Sequence, residues 1–122
     1  MTVVVDTTVL IDHLRGHAAA RDYLLGLGAA PFASELSRAE VTVGLRSAER
    51  RRAEHLFASI EWVPVGERIA RVAGDLGRRF RRSHALGVTD LVIAATATVL
   101  DTSLATHNLR HYPMFPKLSA PY

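Results

Sequence analysis

Apolar positions in this 122-residue chain fall into short blocks whose period changes from one segment to the next. Val3, Val4 and Val5 form an unbroken β-branched run ending at Asp6, the pattern of a strand buried on both faces. After it, Asp6-Thr7-Thr8 offer N-cap chemistry, and Val9, Leu10, Ile11 and Leu14 follow at helical spacing up to Gly16. A second helix is predicted over residues 18–27, closed by Gly28. Pro31-Phe32-Ala33 reads as a short strand, after which Ser34 or Ser37 caps a helix holding Glu40, Val41 and Leu45. Residues 47–60 are again helical in pattern and strongly basic, and Trp62-Val63-Pro64-Val65 reads as a strand. The clearest amphipathic helix follows, with Ile69, Val72, Ala73, Leu76 and Phe80 on one face. Thr89 is predicted to cap a helix from Asp90 to about Leu100 that is apolar nearly all round, and therefore buried. Residues 103–106 give a last strand before a proline-punctuated tail.

Strands alternating with helices imply βα units and a mainly parallel, short-stranded sheet covered on both faces, an α/β fold. The length suits one domain, residues 1–122. In such sheets ligands bind beyond the carboxyl ends of the strands, which singles out Asp6 and the segment just after Thr106. The chain has no cysteine, so a disulfide framework, a thiolate zinc site and a cysteine nucleophile are excluded. No apolar run approaches the ~20 residues needed to span a bilayer. The start, MTVVVDTTVL, lacks the basic region and cleavage site of a signal peptide, so a cytoplasmic location is expected. Net charge is +3, and Lys117 is the only lysine among fifteen cations. Arginine suits phosphate recognition, although an arginine-rich, alanine-rich codon usage gives the same bias.

Three acids stand where an α/β protein has little structural use for them. Asp6 ends the first strand, Glu40 lies in SRAEVTVGL, and Asp90 opens TDLVIAATATVL. Each has a plain structural alternative: Asp6 and Asp90 as helix caps, Glu40 as the partner of Arg38 or Arg46. Gathered at one end of a sheet, however, they would repel one another and call for a cation between them. Oxygen ligands without cysteine point to Mg²⁺ or Mn²⁺ rather than Zn²⁺.

Four segments, VVVDTTVLIDHL, SELSRAEV, VTDLVIAATA and ATHNLRHYPMF, resemble in order and spacing a PIN-domain protein of the VapC toxin class. The resemblance runs from Met1 to about Lys117. It implies a three-layer PIN-like fold and Mg²⁺- or Mn²⁺-dependent endoribonuclease activity, held in check by a cognate VapB-type antitoxin. It further implies a homodimer, with the antitoxin peptide in a groove made by the N-terminal helices. By position, Asp6, Glu40 and Asp90 match the acidic metal-binding and catalytic residues. Thr7 matches the hydroxyl residue beside the first aspartate, and Asn108 the asparagine of the TxN segment. Many members carry a fourth acid three residues after that asparagine; here the position is His111, which suits a metal-bound water, a phosphate or a covering role. His107 is a further candidate for substrate contact.

The chemistry expected of these residues is hydrolysis of an RNA phosphodiester by water, with Glu40 or Asp6 as general base, leaving a 5′-phosphate and a 3′-hydroxyl. A receiver domain is disfavoured because threonines, not acids, follow Asp6, and a dehalogenase-type phosphatase because Thr8 replaces its second aspartate. The non-enzymatic alternative is a catalytically degenerate PIN-like module that binds RNA through its arginines. Arg50 to Arg52, and Arg78, Arg79, Arg81 and Arg82 around Phe80, are either solvated helix faces or backbone contacts for that RNA.

Overall fold

The structure, a computed structural model, describes residues 2–80 and 86–122. Four three-residue strands, β1 (Val3–Val5), β2 (Phe32–Ser34), β3 (Glu61–Val63) and β4 (Ser103–Ala105), form one sheet in the order β3-β2-β1-β4. Every pairing is parallel, with Val4 opposite Phe32 and Leu104, and Ala33 opposite Trp62. The helices are α1 (Thr7–Leu14), α2 (Ala18–Leu25), α3 (Glu35–Val43), α4 (Arg50–Ala58), α5 (Glu67–Phe80) and α6 (Val88–Val99).

Alternation along the central strand divides the core into two layers. Val4 and Leu104 face Ile69, Ala73 and Leu76 of α5 and the seven consecutive buried residues of α6, Leu91 to Ala97. Val3, Val5 and Ala105 face Val9, Leu10 and Leu14 of α1 together with Ala53 and Leu56 of α4. The expected parallel sheet with both faces covered is therefore present, three layers deep. Gly77 lets α5 and α6 close together, because a Cβ there would stand 3.0 Å from Leu91 Cδ1. Gly16, at φ +82°, makes the turn that sends α2 away from α1.

Several boundaries differ from the sequence reading. α2 stops at Leu25 with Gly26 as its cap, and Gly28 lies beyond it in the left-handed region. Of the two serines proposed to cap α3, Ser34 does so, through Leu36 N–H; Leu45 lies past the helix end at Gly44. The basic segment splits into a 3-10 turn, Ser47–Glu49, and α4, because Glu49 turns back to accept the Arg46 N–H. β3 begins at Glu61 and ends before Pro64, which has no N–H to give a ladder. Gly87, not Thr89, occupies the N-cap of α6. Arg81 and Arg82 lie outside the described residues.

Candidate active site

Because all strands run in parallel, their carboxyl ends share one edge, and the chain turns there from strand to helix. Asp6 is the first residue past β1 and is 3% exposed. It caps α1: Oδ1 accepts the Thr7 N–H at 2.8 Å, which neutralises an otherwise orphan donor at the positive end of the helix. Its other oxygen, Oδ2, accepts from Thr106 Oγ1 at 2.6 Å and from Thr8 Oγ1 at 3.1 Å. The capping alternative for Asp6 is thus correct as geometry, yet a cap needs only one of these three bonds.

Thr7 carries the connection onward. Its hydroxyl donates to Glu40 Oε1 at 2.6 Å and lies 2.9 Å from Ser37 Oγ. Both partners sit on α3, the helix that leaves β2. Glu40 is exposed, and only Ser37 and Val41 of α3 are buried. Neither proposed arginine partner engages it: Arg38 is bound to Glu35 at 2.6 Å and stacks over the Trp62 ring at 4.1 Å, and Arg46 lies beyond the end of α3 as the N-cap of the turn Ser47–Glu49.

Asp90 enters from the first turn of α6, with its side chain 23% exposed. The Tyr112 hydroxyl points at its Oδ1 from 3.5 Å, and His111 Nδ1 is 3.2 Å from its Oδ2. Burial pushes the Asp90 carboxyl above the usual aspartate range; His111 opposes the rise and the negative charge of Asp6 adds to it. Tyr112 is fully buried, and burial together with the charges of Asp6 and Asp90 drives its hydroxyl far up, so it stays a neutral donor between the two acids.

The structure therefore brings Asp6, Thr7 and Glu40 into one hydrogen-bonded chain and sets Asp90 with His111 beside it. Asn108 joins through its backbone, its N–H donating to Thr106 Oγ1 at 3.0 Å. His107 does not join; its ring packs edge-on against Tyr122 at 4.2 Å. Sequence reasoning missed Thr106, Tyr112 and Ser37. Thr106 stood at a strand end, where the strand-end rule pointed, but a β-branched residue there reads as strand. Tyr112 carries no local signal, since a tertiary contact alone turns its hydroxyl toward the acids.

The donor set fits a hard divalent cation: carboxylate and hydroxyl oxygens, no thiolate, and one half-exposed imidazole. Among the described residues no three His, Asp or Glu side chains stand close enough to enclose an ion together. The carboxylate oxygens at this edge are nonetheless of the kind a hard cation takes, one that completes its shell with waters and phosphate oxygens.

A parallel α/β sheet with carboxylates from three elements at its carboxyl edge is the class of protein this geometry defines. The PIN domain family model matches residues 3–114. Ribonuclease VapC10 of Mycobacterium tuberculosis is 50% identical over 98% of this chain and 92% of its own length. Ribonuclease VapC19 of the same organism is 46% identical over 98% of both chains. Among solved structures, a toxin-antitoxin complex from Klebsiella pneumoniae matches with a TM-score of 0.82 at 26% identity, covering 98% of each chain. VapBC2 from Rickettsia felis, bound to a DNA fragment from its promoter, gives 0.83 at 18% identity over 98% of this chain and 97% of that one, a likeness of fold. The chain belongs to the PIN-domain family, and within it to the VapC type.

Proposed function

We propose that this protein is an endoribonuclease, the toxin of a type II toxin–antitoxin pair, acting through Asp6, Glu40 and Asp90 with Mg²⁺ or Mn²⁺. The observation that carries this reading is the hydrogen-bonded chain from Asp6, the N-cap of α1, to Glu40 of α3, with Asp90 of α6 set beside it and no arginine or lysine paired to any of the three among the described residues. The ribonuclease names of relatives 46% and 50% identical over nearly the whole chain support it.

Asp6, Glu40 and Asp90 would hold the cation. When bound, it supplies Lewis acidity toward a phosphate oxygen and makes water a competent nucleophile near neutral pH. The chain supplies the rest. Asp6 has its oxygens occupied by Thr7, Thr8 and Thr106 and acts as a fixed anchor. Glu40 is exposed, with Oε1 engaged by Thr7, and is given the general-base role because an exposed carboxylate meets solvent where the buried Asp6 does not. His111 and Tyr112 hold the Asp90 carboxyl, and Asn108 holds Thr106. Hydrolysis by water leaves a 5′-phosphate and a 3′-hydroxyl, without using the RNA's own 2′-hydroxyl.

Control belongs to the opposite edge of the sheet. A cavity of about 650 Å³ opens between α1, α2 and α4, lined by His13, Leu24, Leu25, Pro31, Arg52 and Leu56. Leu25 is 76% exposed there, and His13 Nδ1 is buried without a hydrogen-bond partner among the described residues. This groove is where we seat the VapB-type antitoxin, its apolar side chains on the leucines and a polar group on His13. The reading includes a homodimer of one-domain chains, which light scattering on the purified protein checks.

The test is incubation of purified protein with total RNA, with and without chelator, and sequencing of the new ends. Cleavage that needs Mg²⁺ or Mn²⁺ and leaves 5′-phosphates is expected. RNA binding without any cleavage would establish the non-catalytic alternative instead.

A further inference from the structure

Tyr122 lies far along the chain from every acid, yet it touches both elements that meet at Asp6. Its hydroxyl donates to Asp12 Oδ2 at 2.6 Å, on the helix that Asp6 caps. Its ring takes the His107 ring edge-on, with centroids 4.2 Å apart and planes at 70°. His107 directly follows Thr106, whose hydroxyl holds Asp6 Oδ2, and precedes Asn108, whose N–H holds Thr106. The same tyrosine ring lies 5.4 Å from His17 and 6.0 Å from Tyr23, which fix it against α2.

We infer that Tyr122 is a positioning residue for the acid site: by clamping His107 to Asp12 it sets the separation between α1 and the loop 106–108, and with it the orientation of the Asp6 carboxylate. The inference rests on the ribonuclease reading of that carboxylate. Asp6 is sensitive to this spacing because the shorter of the two bonds at Oδ2 comes from Thr106 of the loop, at 2.6 Å, whereas Thr7 at Oδ1 and Thr8 at Oδ2 both belong to α1. Were the loop to swing out, Thr106 would leave Oδ2, and the carboxylate would be held from the α1 side alone, by Thr7 at Oδ1 and by the longer 3.1 Å bond from Thr8 at Oδ2. Packing alone would need only the ring of Tyr122; the hydroxyl bond to Asp12 fixes the ring's distance from α1. Burial and the charge of Asp12 raise the phenol well above its usual range, so the donor persists at any ordinary pH.

The test compares wild type with Tyr122→Phe, Tyr122→Ala and Asp12→Ala by amide hydrogen exchange and steady-state RNA cleavage. Exchange at Asp6 N–H, which donates to Ala105 O, and at Asn108 N–H should quicken about tenfold in Tyr122→Ala and less in the other two. Glu61 N–H, which donates to Pro31 O across the sheet, should keep its wild-type protection. In the same order kcat should fall, about tenfold in Tyr122→Ala and less in the other two, at unchanged KM, the signature of a misplaced group that does not bind substrate. Exchange that quickens equally at Glu61 overturns the inference, since it reports only lost stability. Unchanged exchange, or local loosening with kcat intact, overturns it as well. Tyr122→Phe keeps the ring and carries the comparison if Tyr122→Ala does not fold. A wild-type protein that fails to cleave RNA removes the ribonuclease reading alone, while the exchange pattern still decides whether Tyr122 holds the loop.

Discussion

Helix α1 joins two edges of the sheet that treat polar groups in opposite ways. At its start, Asp6 is 3% exposed and every oxygen it carries is answered from within the chain, by Thr7, Thr8 and Thr106. Toward its end, His13 has a buried Nδ1 that nothing among the described residues answers, at the side of a cavity of about 650 Å³. Burial of that imidazole, with Arg52 and Arg21 nearby, lowers its pKa and keeps it neutral near pH 7. A self-satisfied polar cluster is preorganised, with its groups already aimed before a substrate arrives. An unsatisfied buried atom costs on the order of 1–3 kcal/mol, which a partner can return on binding. The difference supports the proposed division, with chemistry at the first edge and recognition at the second.

If that division is right, substitutions at the two edges should separate cleavage from inhibition. Asp6→Asn, Glu40→Gln and Asp90→Asn should each lower RNA cleavage by roughly a thousandfold, the equivalent of about 4 kcal/mol of transition-state stabilisation. Leu25→Asp, on an exposed side chain of the groove, should leave the cleavage rate intact and weaken the antitoxin by about tenfold to a hundredfold. Cleavage assays with and without the VapB-type antitoxin measure both. Cleavage lost in Leu25→Asp, or antitoxin affinity unchanged, would break the division.

A smaller effect separates the acids from one another. Asp6→Asn should lower the melting temperature by about 5 °C, since an amide has one acceptor oxygen for three donors at a helix cap. Asp90→Asn should raise it in chelator, because burial and the Asp6 charge disfavour the ionised Asp90. The sign with pH follows from the raised carboxyl: the destabilisation is present above its folded pKa and gone once pH falls below aspartate's ordinary 3.8. The advantage of Asp90→Asn should therefore fade on acidification. Calorimetric melts across that range show whether it does.

The contrast also explains what was legible in the sequence. Val3 to Val5, the α5 stripe and the all-apolar α6 each announce themselves, because period and burial are local patterns. Asp6, Glu40 and Asp90 stood out as charges in or beside apolar runs, and Thr7, Asn108 and His111 entered by resemblance. The hydroxyls that wire them together did not stand out. Thr106 and Ser37 are ordinary residues for a strand end and a helix, and only the register of β1 beside β4 and the packing of α3 on α1 give them work. The groove edge was less legible still, since Leu24, Leu25 and Leu56 are written as any core would be. Helix ends drifted where a cap competes with its neighbours: Gly87 displaced Thr89, and Gly26 displaced Gly28.

The central claim is that three acids on three elements act together on one divalent cation. Calorimetric titration with Mn²⁺, without RNA, tests it most directly in wild type, Asp6→Asn, Glu40→Gln, Asp90→Asn and His111→Asp. The account predicts one site in wild type, weakened in all three amide variants, and a tighter first site with a second one in His111→Asp, where a carboxylate joins Asp90. Mn²⁺ binding that is unchanged by all three amide substitutions would contradict it.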